Sequence, residues 1–255
     1  MIQKFLRKNQ NKLKKSSMKN LTILNKLTLC FLFLLSTLTL SAQWGDHNAN
    51  RIEEDRTVGN FDAISVGYGI DLYLHQSQKT SVSVKAKKEI MEHIITEVEN
   101  GTLVIKVDKR KKAKGRMEVT VQVPELNKIL ASGGSDVYGK GNWEMDKIDI
   151  IVSGGSDFEM ELTANSVICN SSGGSDIDIR GSADNIDINC SGGSDVEAKN
   201  FVVKHGKVNA TGGSDVVIHT TESIDANASG ASDITYRGNP SQVKVHSSGS
   251  SDISN

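Results

Sequence analysis

Seven copies of one five-residue motif fill the second half of this chain. Ser132-Gly133-Gly134-Ser135-Asp136 recurs unchanged at 153–157, 172–176 and 191–195. It returns lightly edited at 211–215 (TGGSD), 229–233 (SGASD) and 248–252 (SGSSD). Between first residues the spacings are 21, 19, 19, 20, 18 and 19. A near-constant period of this size marks one supersecondary unit stacked on itself.

The flanks of the motif align in columns. Three residues before it stand Ile129, Ile150, Cys169, Ile188, Val208, Ala226 and Val245. Directly after each Asp come Val137, Phe158, Ile177, Val196, Val216, Ile234 and Ile253. One residue before the motif the set is small: Ala131, Val152, Ser171, Cys190, Ala210, Ala228 and Ser247. Asn170, Asn189, Asn209 and Asn227 alternate with these. Period two within a repeat and about 19 between repeats means strands with one apolar face, buried by stacking. The expected fold is all-β: a right-handed parallel β-helix with about 19–20 residues per coil. The six-residue rhythm of left-handed helices and the nine-residue rhythm of calcium-binding toxin repeats are both missing.

In such a solenoid the motif is the corner. A sharp corner needs positive φ, which glycine supplies without steric cost. Gly133, Gly154, Gly173, Gly192, Gly212, Gly230 and Gly249 hold the first glycine position without exception, whereas Ala231 and Ser250 replace the second glycine. The two Ser positions can bond the turn backbone or one another along the stack. Asp136, Asp157, Asp176, Asp195, Asp215, Asp233 and Asp252 then form a ladder at the strand spacing of about 4.8 Å. Two bare carboxylates at that distance repel by about 0.9 kcal/mol even in water, so something compensates. Each Asp can cap backbone N–H groups of its own turn, with a lowered pKa as the result. Alternatively a row of Ca²⁺ ions bridges adjacent coils, or the face binds a partner.

Upstream, residues 58–130 form an N-terminal β region that caps or continues the coils. Ile70–Leu74, Val82–Val84 and Met117–Val123 alternate in the strand manner. Glu99-Asn100-Gly101 signals a tight hairpin, Glu89–Ile95 fits at most a short helix, and Pro124 closes the last strand. Residues 44–57 are polar and patternless and read as a linker. Residues 1–43 read as a signal peptide: eight basic residues, an apolar run from Leu27 to Leu40, and Ser-Ala-Gln before cleavage. That run is shorter than the roughly 20 residues of a membrane span, so no membrane segment is expected after cleavage.

Removing the leader leaves 22 basic against 31 acidic residues, and positions 131–255 hold 18 acids and 8 bases. Nucleic acid is therefore excluded as a partner. Two cysteines, Cys169 and Cys190, are too few for a disulfide framework. Serine catalysis is excluded as well, because no histidine accompanies the seven Ser-Asp pairs and no nucleophile elbow occurs. His75, His93, His205, His219 and His246 show no metal-ligand spacing and read as surface residues. Glu159, Asp178 and Asp187 are the acids a carbohydrate-active β-helix would use in a groove, with the two-carboxylate logic of glycoside cleavage. Similar acids in nearly every coil argue for structure instead. Lys109–Arg116, the densest basic run after the leader, lies between two strands and reads as a solvated hairpin tip or a contact for anionic glycan or lipid.

The export signal, Phe61-Asp62-Ala63-Ile64, Gly69–Leu74, Glu99–Ile105 and the repeated Ser-Gly-Gly-Ser-Asp together resemble one group of exported Bacteroidetes proteins. This is the putative auto-transporter adhesin, head GIN domain family, and the likeness runs from about Val58 to Asn255. The resemblance implies a β-helical head with an adhesin-like, non-enzymatic role and no cofactor. It supplies no catalytic or binding residue. The expectation is an exported protein, periplasmic, surface-bound or secreted, that meets a glycan or a host or matrix surface. A polysaccharide lyase or hydrolase is the alternative.

Overall fold

Each motif coil stacks in register on the next. The computed structural model describes residues 50–111 and 114–255. The leader, its cleavage site and the first part of the linker lie outside them. Strands β8 (Lys128–Ser132), β9 (Val137–Ser153), β10 (Asp157–Ser172), β11 (Asp176–Gly192), β12 (Asp195–Gly212), β13 (Asp215–Gly230), β14 (Asp233–Arg237), β15 (Gln242–Gly249) and β16 (Asp252–Ser254) pair parallel from coil to coil. The structure is thus a parallel β-solenoid.

The columns are the core. Cys169 pairs with Ile150 and Ile188, and Ile188 with Val208. Phe158 pairs with Val137 and Ile177, and Ile177 with Val196. All of these are buried. Alternation decides which side chains point inward, and stacking the same column makes a continuous apolar stripe from residues that each repeat supplies once. At the last coil the stripe reaches solvent, where Val245 is 47% exposed.

The N-terminal region continues the coils, out of chain order. β2 (Ala63–Val66) lies between β6 (Thr102–Val107) and β8, and β3 (Ile70–Gln76) lies between β7 (Met117–Val123) and β9. A coil built from β2 and β3 is therefore inserted between the β6–β7 coil and the first motif coil. The far end is covered by antiparallel strands. β4 (Ser81–Lys87) pairs with β7, β5 (Ile94–Glu99) with β6, and a single helical turn, α1 (Lys88–Met91), joins them. Asn100 and Gly101 have φ of 51° and 79°, which makes the β5–β6 connection the tight hairpin expected from Asn-Gly.

One boundary is corrected. Arg51–Arg56 is strand β1, paired antiparallel with β4, not linker. Its polar sequence hid it because it is an edge strand with no fully buried residue, and edges carry charge.

Candidate functional site

The corner face is built from the glycines outward. The first glycine of every motif has positive φ, from 65° at Gly133 to 91° at Gly192. The second glycine shares it only in the first three copies, at Gly134, Gly155 and Gly174. From the fourth copy onward the second position leaves the left-handed region, and from the fifth its N–H reaches the preceding coil: Gly213 to Gly192 O at 2.8 Å and Ala231 to Gly212 O at 2.7 Å. That change of corner type is why Ala231 and Ser250 are tolerated there.

An eighth corner was not legible as a motif. Gly67-Tyr68-Gly69-Ile70-Asp71 stacks on Ser132–Asp136: the Ile70 N–H donates to Ser135 Oγ at 3.1 Å, and Tyr68 and Gly69 have φ of 68° and 71°. The glycine spacing and the Asp before Leu72 were the available signal. The three-letter mismatch concealed it.

The second Ser of the first six motif corners stays inside, while Ser251 in the last is half-buried. Ser135, Ser156, Ser175, Ser194, Ser214 and Ser232 are fully buried. Ser156 Oγ accepts the Ser135 N–H at 3.0 Å, and Ser194 Oγ accepts the Gly174 and Ser175 N–H groups at 3.1 and 3.3 Å. Ser232 Oγ donates to Ala210 O and Ser229 O. These hydroxyls satisfy backbone groups that the corner removes from the sheet ladder. Beside them Asn189, Asn209 and Asn227 each donate to the Asn one coil back, at 3.2, 3.0 and 3.2 Å.

The Asp side chains point out. Three of the carboxylates bond the next coil in place of the own-turn capping expected from Asx geometry. Asp136 Oδ1 accepts the Asp157 N–H at 3.3 Å, Asp195 Oδ1 that of Asp215 at 3.3 Å, and Asp233 Oδ1 that of Asp252 at 3.2 Å. At Asp157 the pKa moves opposite to the expected lowering. Burial, followed by the charges of Asp136 and Asp176, raises the Asp157 pKa, with only the Asp176 N–H opposing. Asp71, opposite Asp136, is also raised by burial despite its contact with Arg116. The ladder ends on cations: Arg116 meets Asp71 at 3.3 Å and Glu118 at 2.7 Å, and Arg51 meets Glu118 at 2.8 Å. Burial alone would raise Glu118, but Arg51 and Arg116 outweigh it and hold its pKa below the ordinary value.

Next to the ladder runs a shallow groove of about 380 Å³, lined by Asp157, Asp176, Asp195, Glu159, Asp178, Glu197 and Tyr138 among others. Glu159 and Asp178 are register partners there. Arg180 bridges them at 3.0 and 2.8 Å. Asp187 is not in the groove: it sits on the strand segment before the corner, paired with Lys207 at 3.2 Å. Among the described residues no group of three or more His, Cys, Asp or Glu could hold a metal ion. All five histidines after His47 are at least partly exposed.

The basic run is corrected in place. β6 and β7 do not form a hairpin; they belong to the two sides of one coil, paired with β2 and β3. In the segment between them Lys109 lies beside the Tyr68 corner, its Nζ 5.6 Å from the ring centroid.

This architecture has relatives. The chain is similar to a crystal structure described as a putative adhesin from Bacteroides fragilis, at 28% identity and a TM-score of 0.78, over 81% of this chain and 97% of that one. Two Parabacteroides structures share the fold. One from Parabacteroides distasonis, described as a putative lipid binding protein, is 20% identical with a TM-score of 0.66, over 81% of this chain and 97% of that one. The other, a putative adhesin from Parabacteroides merdae, is 19% identical with a TM-score of 0.64 at the same coverage. No curated protein matches the chain. Among the described residues no helix is long and apolar enough to cross a membrane. Residues 60–240 match the family described as putative auto-transporter adhesin, head GIN domain, and the chain belongs to that family.

Proposed function

We propose that the chain is an exported, non-enzymatic binding head, adhesin-like, that meets a glycan or matrix surface at the cell envelope or beyond it. The observation that carries this reading is the state of the groove acids. Cleavage of a glycosidic bond needs two carboxyls in different environments, one held protonated and one ionised. Glu159 and Asp178 are instead register equivalents tied to a single Arg180. What the corner face offers is the same chemistry repeated from coil to coil, which suits contact with an extended partner.

The purified chain applied to an array of glycans and matrix proteins tests this. Saturable binding to an array member, with no new reducing or unsaturated ends on incubation with polysaccharides, is the expected result. Turnover that disappears in Glu159→Gln would overturn it in favour of a carbohydrate-active enzyme.

A further inference from the structure

Tyr68 is the one bulky side chain at positive φ among the described residues, where the other non-glycine cases are Asn50 and Asn100. It occupies the corner place that glycine holds in all seven motif copies: a Cβ on Gly133 would lie 3.5 Å from the Tyr68 nitrogen. Packing does not explain it, since Tyr68 is 45% exposed and lies outside the core. A strained backbone retained for a solvent-facing ring points to use of the ring itself.

The surroundings say what the ring would meet. Tyr68, Lys109 and Lys111 with Val107, Asp108 and Met117 line a recess of about 310 Å³. Asp108 is neutralised within it, accepting both the Arg110 side chain at 3.1 Å and its backbone N–H at 3.0 Å. Lys109 and Lys111 thus set a positive charge at one end of an otherwise acidic face, where an approaching anion is steered. An aromatic face beside ammonium groups suits a ligand with an apolar ring face and a carboxylate.

The geometry points to a subsite for a carboxylated sugar of an acidic polysaccharide: its C–H face stacks on Tyr68, and Lys109 and Lys111 pair with its carboxylate. This rests on the binding-head reading and names its ligand class. A membrane surface fits less well, because insertion needs a contiguous apolar face. The other exposed large hydrophobics, Val202, Val243 and Val245, belong to distant coils.

Titration of the purified chain with polygalacturonate tests the subsite, with neutral dextran and phosphatidylglycerol vesicles as parallel probes. Tyr68→Gly restores the corner consensus, so it should keep or raise the melting temperature. Its affinity for polygalacturonate should fall about tenfold, the factor carried by about 1.4 kcal/mol. Tyr68→Phe keeps the stacking face and should bind as the parent chain does, whereas Lys109→Gln with Lys111→Gln should bind weakly. Unchanged affinity in Tyr68→Gly overturns the proposal by leaving bare charge as the cause. Tyr68-dependent binding to the vesicles in place of polygalacturonate overturns it in favour of a membrane. If polygalacturonate is not bound while another array member is, this subsite falls and the binding head stands.

Discussion

Asp195 accepts, through Oδ1, the backbone N–H of Asp215, its register partner one coil further on, at 3.3 Å. The same link joins Asp136 to Asp157 and Asp233 to Asp252. These three carboxylates are thus bonded forward to the coil that carries the next carboxylate. Attraction to an N–H and repulsion from a neighbouring charge act at one place, and Asp157 shows which dominates there.

Asp157→Asn is expected to raise the melting temperature at neutral pH. The folded pKa of Asp157 lies above its ordinary value, through burial and then the Asp136 and Asp176 charges. A raised folded pKa means that ionisation favours the unfolded chain, so the penalty is present at neutral pH and fades as pH falls through the folded pKa. Thermal unfolding of parent and variant at about pH 7 and about pH 4 checks this. The gap between them should close in acid. A gap that widens in acid contradicts the assignment.

The inward column gives a sharper contrast. Ile188 is fully buried between Cys169 and Val208, so Ile188→Asp must bury a charge or protonate it. Either costs several kcal/mol against a net stability of about 5–15 kcal/mol, and the chain should unfold. Asp187 is an outward residue paired with Lys207, and Asp187→Lys should cost about 1 kcal/mol or less. Circular dichroism melts of the two variants decide it, and equal losses would refute the register.

Adjacent glycines should behave oppositely. A Cβ on Gly212 would stand 2.8 Å from Gly192 O, at φ of 86°, whereas on Gly213 the nearest atom is that oxygen at 3.7 Å with no positive φ. Gly212→Ala should therefore destabilise by about 1–3 kcal/mol. Gly213→Ala should be neutral or slightly stabilising, as Ala231 already is one coil on. Chemical denaturation gives both numbers, and a costly Gly213→Ala would contradict the two corner types.

The two cysteines of the solenoid, Cys169 and Cys190, should be inert. Burial pushes the Cys169 thiol up to about 12 and the Cys190 thiol up to about 11, and Cys190 donates to Ser194 O. Iodoacetamide at neutral pH should leave both unmodified in the native chain and alkylate both after unfolding, since the thiolate is the reactive species. Peptide mass mapping reads the outcome, and native labelling of Cys169 would show that the core opens.

The solenoid was legible because its signal is repeated. A column such as Ile150, Cys169, Ile188 and Val208 states the inward position several times over, and one outlier cannot mask it. Some features stated only once were lost. Arg51–Arg56 is an edge strand without an apolar face, so its sequence carries no alternation to read. The Gly67–Asp71 corner keeps the backbone of the motif but not its letters. That β6 and β7 lie on two sides of one coil follows from long-range pairing, and the local sequence around Lys109 resembles a hairpin tip. At the site, the Asp ladder was visible as a row, but the direction of its hydrogen bonds depends on how one coil stacks on the next. Tyr68 was invisible as a site residue for the same reason: its meaning comes from the glycines stacked beside it.

A corner held by backbone hydrogen bonds and buried serines needs no cation to bridge its carboxylates. The most direct measurement is the melting temperature of the purified chain in chelator and in millimolar Ca²⁺, for the parent and for Asp195→Asn. Asn keeps an acceptor for the Asp215 N–H and removes repulsion from Asp176 and Asp215. The expected result is no response to Ca²⁺ or chelator in either chain, and an Asp195→Asn melt equal to or slightly above the parent. A parent chain that melts lower in chelator and higher in Ca²⁺, as mass action requires of a bound ion, with that response weakened in Asp195→Asn, would contradict it.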